Sequence, residues 1–143
     1  MEVLAGRLIL TPSDFDLARE FYESTLGLRV FREYGSEGRV SGVVFFMGGG
    51  YLELTRDSGS PGSAAGSAAG SVAGSVAGSV RLWLQVPDLA AEQRRLLAAG
   101  GVRVTQPAQR MPWGLQEMWI EGPDAMGICL VEVPPDHPMR RRL

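Results

Sequence analysis

The sequence contains no lysine and no asparagine, so all 14 of its basic residues are arginine. Without lysine there is no amine for Schiff-base chemistry, and the phosphate loop that needs a Lys after its second Gly is excluded. A single cysteine, Cys129, rules out an intrachain disulfide framework. The one histidine, His137, lies in the Pro-rich segment VPPDHPMRRRL, where a solvated side chain is expected. Long apolar runs are missing as well: no stretch reaches the roughly twenty apolar residues of a membrane-spanning helix. The N-terminus lacks the basic-then-apolar pattern of a secretory signal. A net charge of -2 and a pI near 5.4 leave no basic footprint for neutralising phosphates. These absences point to a cytoplasmic protein that binds neither nucleic acid nor membrane.

What is present is a duplication. The 143 residues, 45% of them hydrophobic, suffice for one domain with its own core. The segment RLILTPSDFDLAREFYESTLGLRV, Arg7 to Val30, lies without a gap over RLWLQVPDLAAEQRRLLAAGGVRV, Arg81 to Val104. At this offset of 74, Arg7 meets Arg81, Leu8 meets Leu82, Leu10 meets Leu84, Asp14 meets Asp88 and Gly27 meets Gly101. Each copy opens with a short strand, then a helix capped by Asp14 or Asp88 and stopped near Gly27 or Gly101. Leu17, Phe21 and Thr25 or Leu26 follow Asp14 at helical spacing, and Leu89, Gln93, Leu96 and Leu97 follow Asp88. Strands are expected from Arg29 to Tyr34, Val40 to Met47 and Tyr51 to Thr55. Their counterparts run from Val102 to Thr105, Leu115 to Glu121 and Gly127 to Val133.

The fold class is therefore α+β, with two tandem β-α-β-β-β modules, 7–56 and 81–133, forming a curved mixed sheet around a concave pocket. Gly, Ser and Ala repeats mark 57–80 as a linker, and 134–143 is a tail. About 18 flexible linker residues reach roughly 24 Å, which permits the copies to pair within one chain or to exchange between two.

Alternation sorts each strand into two faces. Leu8, Leu10, Leu52 and Leu54 go to the helix layer of the first module, leaving Arg7, Ile9, Thr11, Tyr51, Glu53 and Thr55 on the open face. In the second, Leu82, Leu84, Val86, Ile128 and Leu130 go inward, leaving Arg81, Trp83, Gln85, Gly127, Cys129 and Val131 open. Aromatic, guanidinium and carboxylate groups gathered in this way make up a small-ligand pocket. The alternative is a face packed shut, with Trp83 as core.

The motifs SDFDLAREFYESTLGLRV, YLELT, VPDLAAEQRRLLAAGGV and PWGLQEMWIEGPDAMGICLVEV resemble the vicinal-oxygen-chelate superfamily, the fold of glyoxalase I, extradiol dioxygenases and bleomycin-resistance proteins. The resemblance implies a His at the head of the first strand of each copy and a Glu in the last strand when a metal is held. Those slots fall here on Arg7, Glu53, Arg81 and Cys129, with Glu132 an alternative to Cys129 that strand parity disfavours. Arginine cannot ligate a divalent ion and would repel it, so neither a metal nor another cofactor is expected. A single His also excludes the two-His, one-carboxylate iron triad. Arg7 and Arg81 either pair with Glu53 or hold a ligand carboxylate or phosphate.

By resemblance to metal-free bleomycin-resistance proteins, the expected function is sequestration of a small organic ligand, such as an aromatic natural product. Arg7, Tyr51, Glu53, Arg81, Trp83, Trp113, Glu117 and Cys129 are its expected contacts, with Trp83 and Trp113 stacking on planar rings. Trp113 and Trp119 could instead be turn or core packing. The competing reading is a lyase, isomerase or epimerase with Glu53 or Glu117 as general base. A homodimer is expected, as in other members of the superfamily.

Overall fold

The computed structural model describes residues 1–56 and 79–140. The linker expected at 57–80 lies, for 57–78, outside the described residues, and the described chain divides into two compact units. In the first unit β1 (Arg7–Leu10) leads to α1 (Phe15–Glu20), which continues as a π-helical turn, Phe21–Thr25. Three strands follow, β2 (Val30–Ser36), β3 (Arg39–Met47) and β4 (Gly50–Thr55). The second unit repeats this with β5 (Arg81–Gln85), α2 (Leu89–Ala99), β6 (Arg103–Arg110), β7 (Gln116–Glu121) and β8 (Gly127–Glu132). The expected α+β class and the two β-α-β-β-β modules are thus present. Instead of one curved sheet there are two four-stranded mixed sheets, one per module, ordered β1-β4-β3-β2 and β5-β8-β7-β6. In each, the first strand pairs in parallel with the last, and the remaining pairs are antiparallel.

Both helices start as the sequence predicts. The Asp14 carboxylate accepts from the Leu17 amide at 3.0 Å, and the Asp88 carboxylate from the Ala91 amide at 2.8 Å. Each satisfies a backbone donor that a helix start leaves unpaired. The buried stripe of the first helix differs from the expected one: Phe15, Ala18, Tyr22 and Leu26 face the sheet, while Leu17 is 64% exposed. Both sets of positions fit helical spacing, and packing chooses between them. The π turn contributes, because the Leu26 amide reaches back five residues to the Phe21 carbonyl at 2.7 Å and brings Leu26 into the core.

Strand β6 also runs beyond the expected end at Thr105, through Pro107 to Arg110. Proline is tolerated there because β6 is an edge strand. Its register shifts between Val104 and Gln106 and again between Gln106 and Gln109.

Side chains reaching the helices fix which face is which. Arg56, in phase with Leu52 and Leu54, bonds Asp16 at 2.6 Å and lies over the Phe15 ring at 4.2 Å, both on α1. Glu132, in phase with Ile128 and Leu130, accepts from the Leu89 amide at the start of α2 at 2.8 Å. The helix-side faces hold fully buried Phe45, Leu52 and Leu54 in the first module and Met118, Ile120 and Ile128 in the second. Each such side chain contributes about 1.5–3 kcal/mol by burial.

Candidate functional site

On the face of the first sheet away from α1, parallel pairing of β1 with β4 sets Arg7 opposite Tyr51 and Ile9 opposite Glu53. Strand β3 adds Val44 beside Glu53 and Phe46 beside Tyr51. Glu53 is only 7% exposed, and both of its oxygens are engaged. Arg7 Nη1 donates to Oε2 at 2.6 Å, and the Tyr34 hydroxyl donates to Oε1. Tyr34 reaches across from β2 because its cross-strand neighbour is Gly42, where a Cβ would stand 2.1 Å from Tyr34 Cζ. Burial pushes the Tyr34 phenol above its usual pKa, and the bond to Glu53 pushes it further the same way. Next to this set, Phe31, Phe46 and Tyr51 form an aromatic group with centroids 5.0 to 5.9 Å apart. Guanidinium groups lie over two of its rings, Arg29 at 4.8 Å from Phe46 and Arg7 at 5.7 Å from Tyr51.

The second module uses the same register with other residues. Arg81 lies opposite Gly127 and Trp83 opposite Cys129, so Cys129 stands where the first module has Glu53, and Trp83 where it has Ile9. Arg81 lies directly opposite Gly127, the Glu121 carboxylate beyond it in the same row pairs with Arg103, and the Arg81 guanidinium lies 5.8 Å from the Trp119 ring centroid. Cys129 is fully buried in a cluster with Leu115, Val131 and Val133, against which Trp119 packs. This face, expected to be open, is therefore partly filled by apolar side chains. Burial, together with the charge and hydrogen bond of neighbouring Glu117, raises the Cys129 thiol to about 12. Glu117 is 6% exposed and accepts from the Trp113 indole N–H at 2.7 Å. Trp83 and Trp113 keep 45% and 56% of their surface exposed.

Of the residues singled out by sequence, Arg7, Tyr51 and Glu53 come together in the first module. Trp113, Glu117 and Cys129 come together in the second, with Trp83 beside Cys129 and Arg81 at the far end of the same face. Tyr34, Phe31 and Phe46 escaped the sequence reading. They lie on β2 and β3, whose faces the alternation of the first and last strands does not sort; a register shift between Val30 and Arg32 also interrupts the alternation at Phe31, and the Tyr34–Gly42 pairing of a large residue with none was a usable signal.

The profile of the Glyoxalase/Bleomycin resistance protein/Dioxygenase superfamily matches residues 5–130. The chain belongs to this superfamily. Among solved structures, TioX from Micromonospora sp. ML1 is similar at 23% identity, covering 88% of this chain and 95% of its own, with a TM-score of 0.65. TnmS3, an antibiotic binding protein from Streptomyces sp. CB03234, is similar at 22% identity, covering 94% and 97%, with a TM-score of 0.64. A superfamily member from Sphaerobacter thermophilus DSM 20745 follows at 21% identity, covering 92% and 98%, with a TM-score of 0.64. At these identities the likeness shows the fold alone. No curated protein matches the chain.

The residues in the positions of the superfamily's metal ligands do not fit a divalent ion. Arg7 already neutralises Glu53, Arg81 carries a permanent positive charge, and the buried Cys129 thiol holds its proton far above neutral pH.

Proposed function

We propose that this superfamily member binds a small organic ligand of aromatic character without a metal, as a sequestering protein. The observation that carries this reading is the ion pair of Arg7 with Glu53 at 2.6 Å, set beside the exposed Phe31 ring and its aromatic partners. The pair makes a rigid, neutral polar edge to an apolar stacking surface, a combination suited to orienting a planar molecule. In the second module, taken by itself, Trp83 and Trp113 are exposed. That TnmS3 is an antibiotic binding protein supports a ligand of the natural-product class. With Arg7 and Tyr34 bonded to its two oxygens, Glu53 is better arranged to hold geometry than to take up a substrate proton. The same reading makes the protein a cytoplasmic homodimer, for which light scattering should give twice the chain mass.

The test is titration of tryptophan fluorescence with planar aromatic natural products, in the presence and absence of a chelator, followed by recovery of the ligand. Saturable quenching that the chelator leaves unchanged, with the ligand recovered intact, is the expected result. Chemical conversion that disappears in Glu53→Gln would replace this reading with that of a lyase, isomerase or epimerase.

A further inference from the structure

The two modules treat their inward carboxyl groups differently. Glu53 has Arg7 as a counter-charge, whereas Glu117 is 6% exposed and takes part in no ion pair among the described residues. Its partners, the Trp113 indole at 2.7 Å and the Cys129 thiol, are uncharged donors. Removing a carboxylate from water without a cation is costly, and the penalty persists until a positive group arrives. An ionised carboxylate offers about four acceptor positions, so two donors leave room for another.

The surroundings fit such an arrival. Glu117 and Trp119 are two residues apart on β7 and share the face away from α2, and the Trp83–Cys129–Trp119 row crosses the sheet next to them. Trp113 is exposed while its indole N–H is tied to the carboxyl group, so its ring offers apolar surface beside the charge. Arg81 is separated from Glu117 along the strands by that row, and its guanidinium is directed over Trp119.

We propose that Glu117, tied to the exposed Trp113, is a recognition point for a protonated amine carried on an aromatic or apolar ligand. The inference rests on the reading of this chain as a small-molecule binder and adds the charge of what it binds. An ammonium N–H donates to the carboxylate while the indole N–H holds Oε1 in place, so the ligand supplies the counter-charge that the module lacks. A ligand carrying an anion at the same point is repelled.

Calorimetry on the full chain with three naphthalene compounds tests this: 2-(1-naphthyl)ethylamine, its N-acetyl derivative and 3-(1-naphthyl)propanoic acid. The ring is constant and the side chain is cationic, neutral or anionic. The amine should bind at least about tenfold more tightly than the amide, as a charge-assisted hydrogen bond implies, and the acid more weakly than either. Glu117→Gln should abolish the preference for amine over amide. Equal binding of amine and amide by the wild-type chain overturns the inference and leaves the binding function standing, and this comparison holds even if the variant does not fold. Failure of all three to bind at millimolar concentration removes both.

Discussion

The ring of Tyr34 occupies the space that a side chain at Gly42 would fill, with a hypothetical Cβ 2.1 Å from Cζ and 2.3 Å from the hydroxyl oxygen. Gly42→Ala should therefore push the phenol off Glu53. We expect a loss of about 1–3 kcal/mol in denaturant unfolding, the usual cost of overpacking a filled site. Tyr34→Phe/Gly42→Ala should fare no better than Gly42→Ala alone, since the clash involves the ring itself.

Arg7 and Glu53 should respond unequally to substitution. Arg7→Met leaves a carboxylate that is 7% exposed with only Tyr34 to hold it, for a loss of roughly 1–3 kcal/mol, midway between surface and buried pairs. Glu53→Gln leaves the more exposed Arg7 free to hydrate and should cost less. Urea midpoints of the two variants check the order, and a larger loss in Glu53→Gln would contradict the account of which partner is trapped.

Cys129 ties stability to alkaline pH. Its thiol is raised from 9.0 to about 12 in the folded chain, so the folded state holds a proton that the unfolded state releases above about 9. Stability from this group is present below pH 9 and declines as pH rises towards 12. Cys129→Ala should flatten the decline in thermal unfolding measured from pH 8 to 11. In the native wild type at pH 8, a thiol reagent should react far more slowly than with the denatured chain.

The two helix caps offer a matched pair. Asp14→Ala and Asp88→Ala should each cost about 1 kcal/mol, because each removes one acceptor from an otherwise unpaired amide. Thermal melts of the single variants check both values.

Much of this architecture was legible because the duplication supplied each module with a second reading of itself. Asp14 and Asp88, aligned by the offset, both cap helices, and strand parity put Glu53 and Cys129 on the face away from the helices. Parity of the first and last strands did not reach Phe31 and Tyr34 on β2, where register shifts interrupt the pairing with β3. Helical spacing could not choose between the stripes through Phe15 and through Leu17, since that choice depends on the sheet beneath and on the π turn. Nor could spacing show that Cys129 would be enclosed by Leu115 and Val133, which come from beyond its own strand.

Parallel pairing of β1 with β4 joins Arg7 to a strand more than forty residues further along, with the helix and a hairpin between them. Closing such a distant contact must follow the local turns and is comparatively slow. The Arg7–Glu53 bond consequently cannot exist in a chain that has made only its hairpins. A ligand gripping that bond would select the finished module from every partly assembled form, so its presence during refolding should slow escape from the native state more than it speeds arrival there.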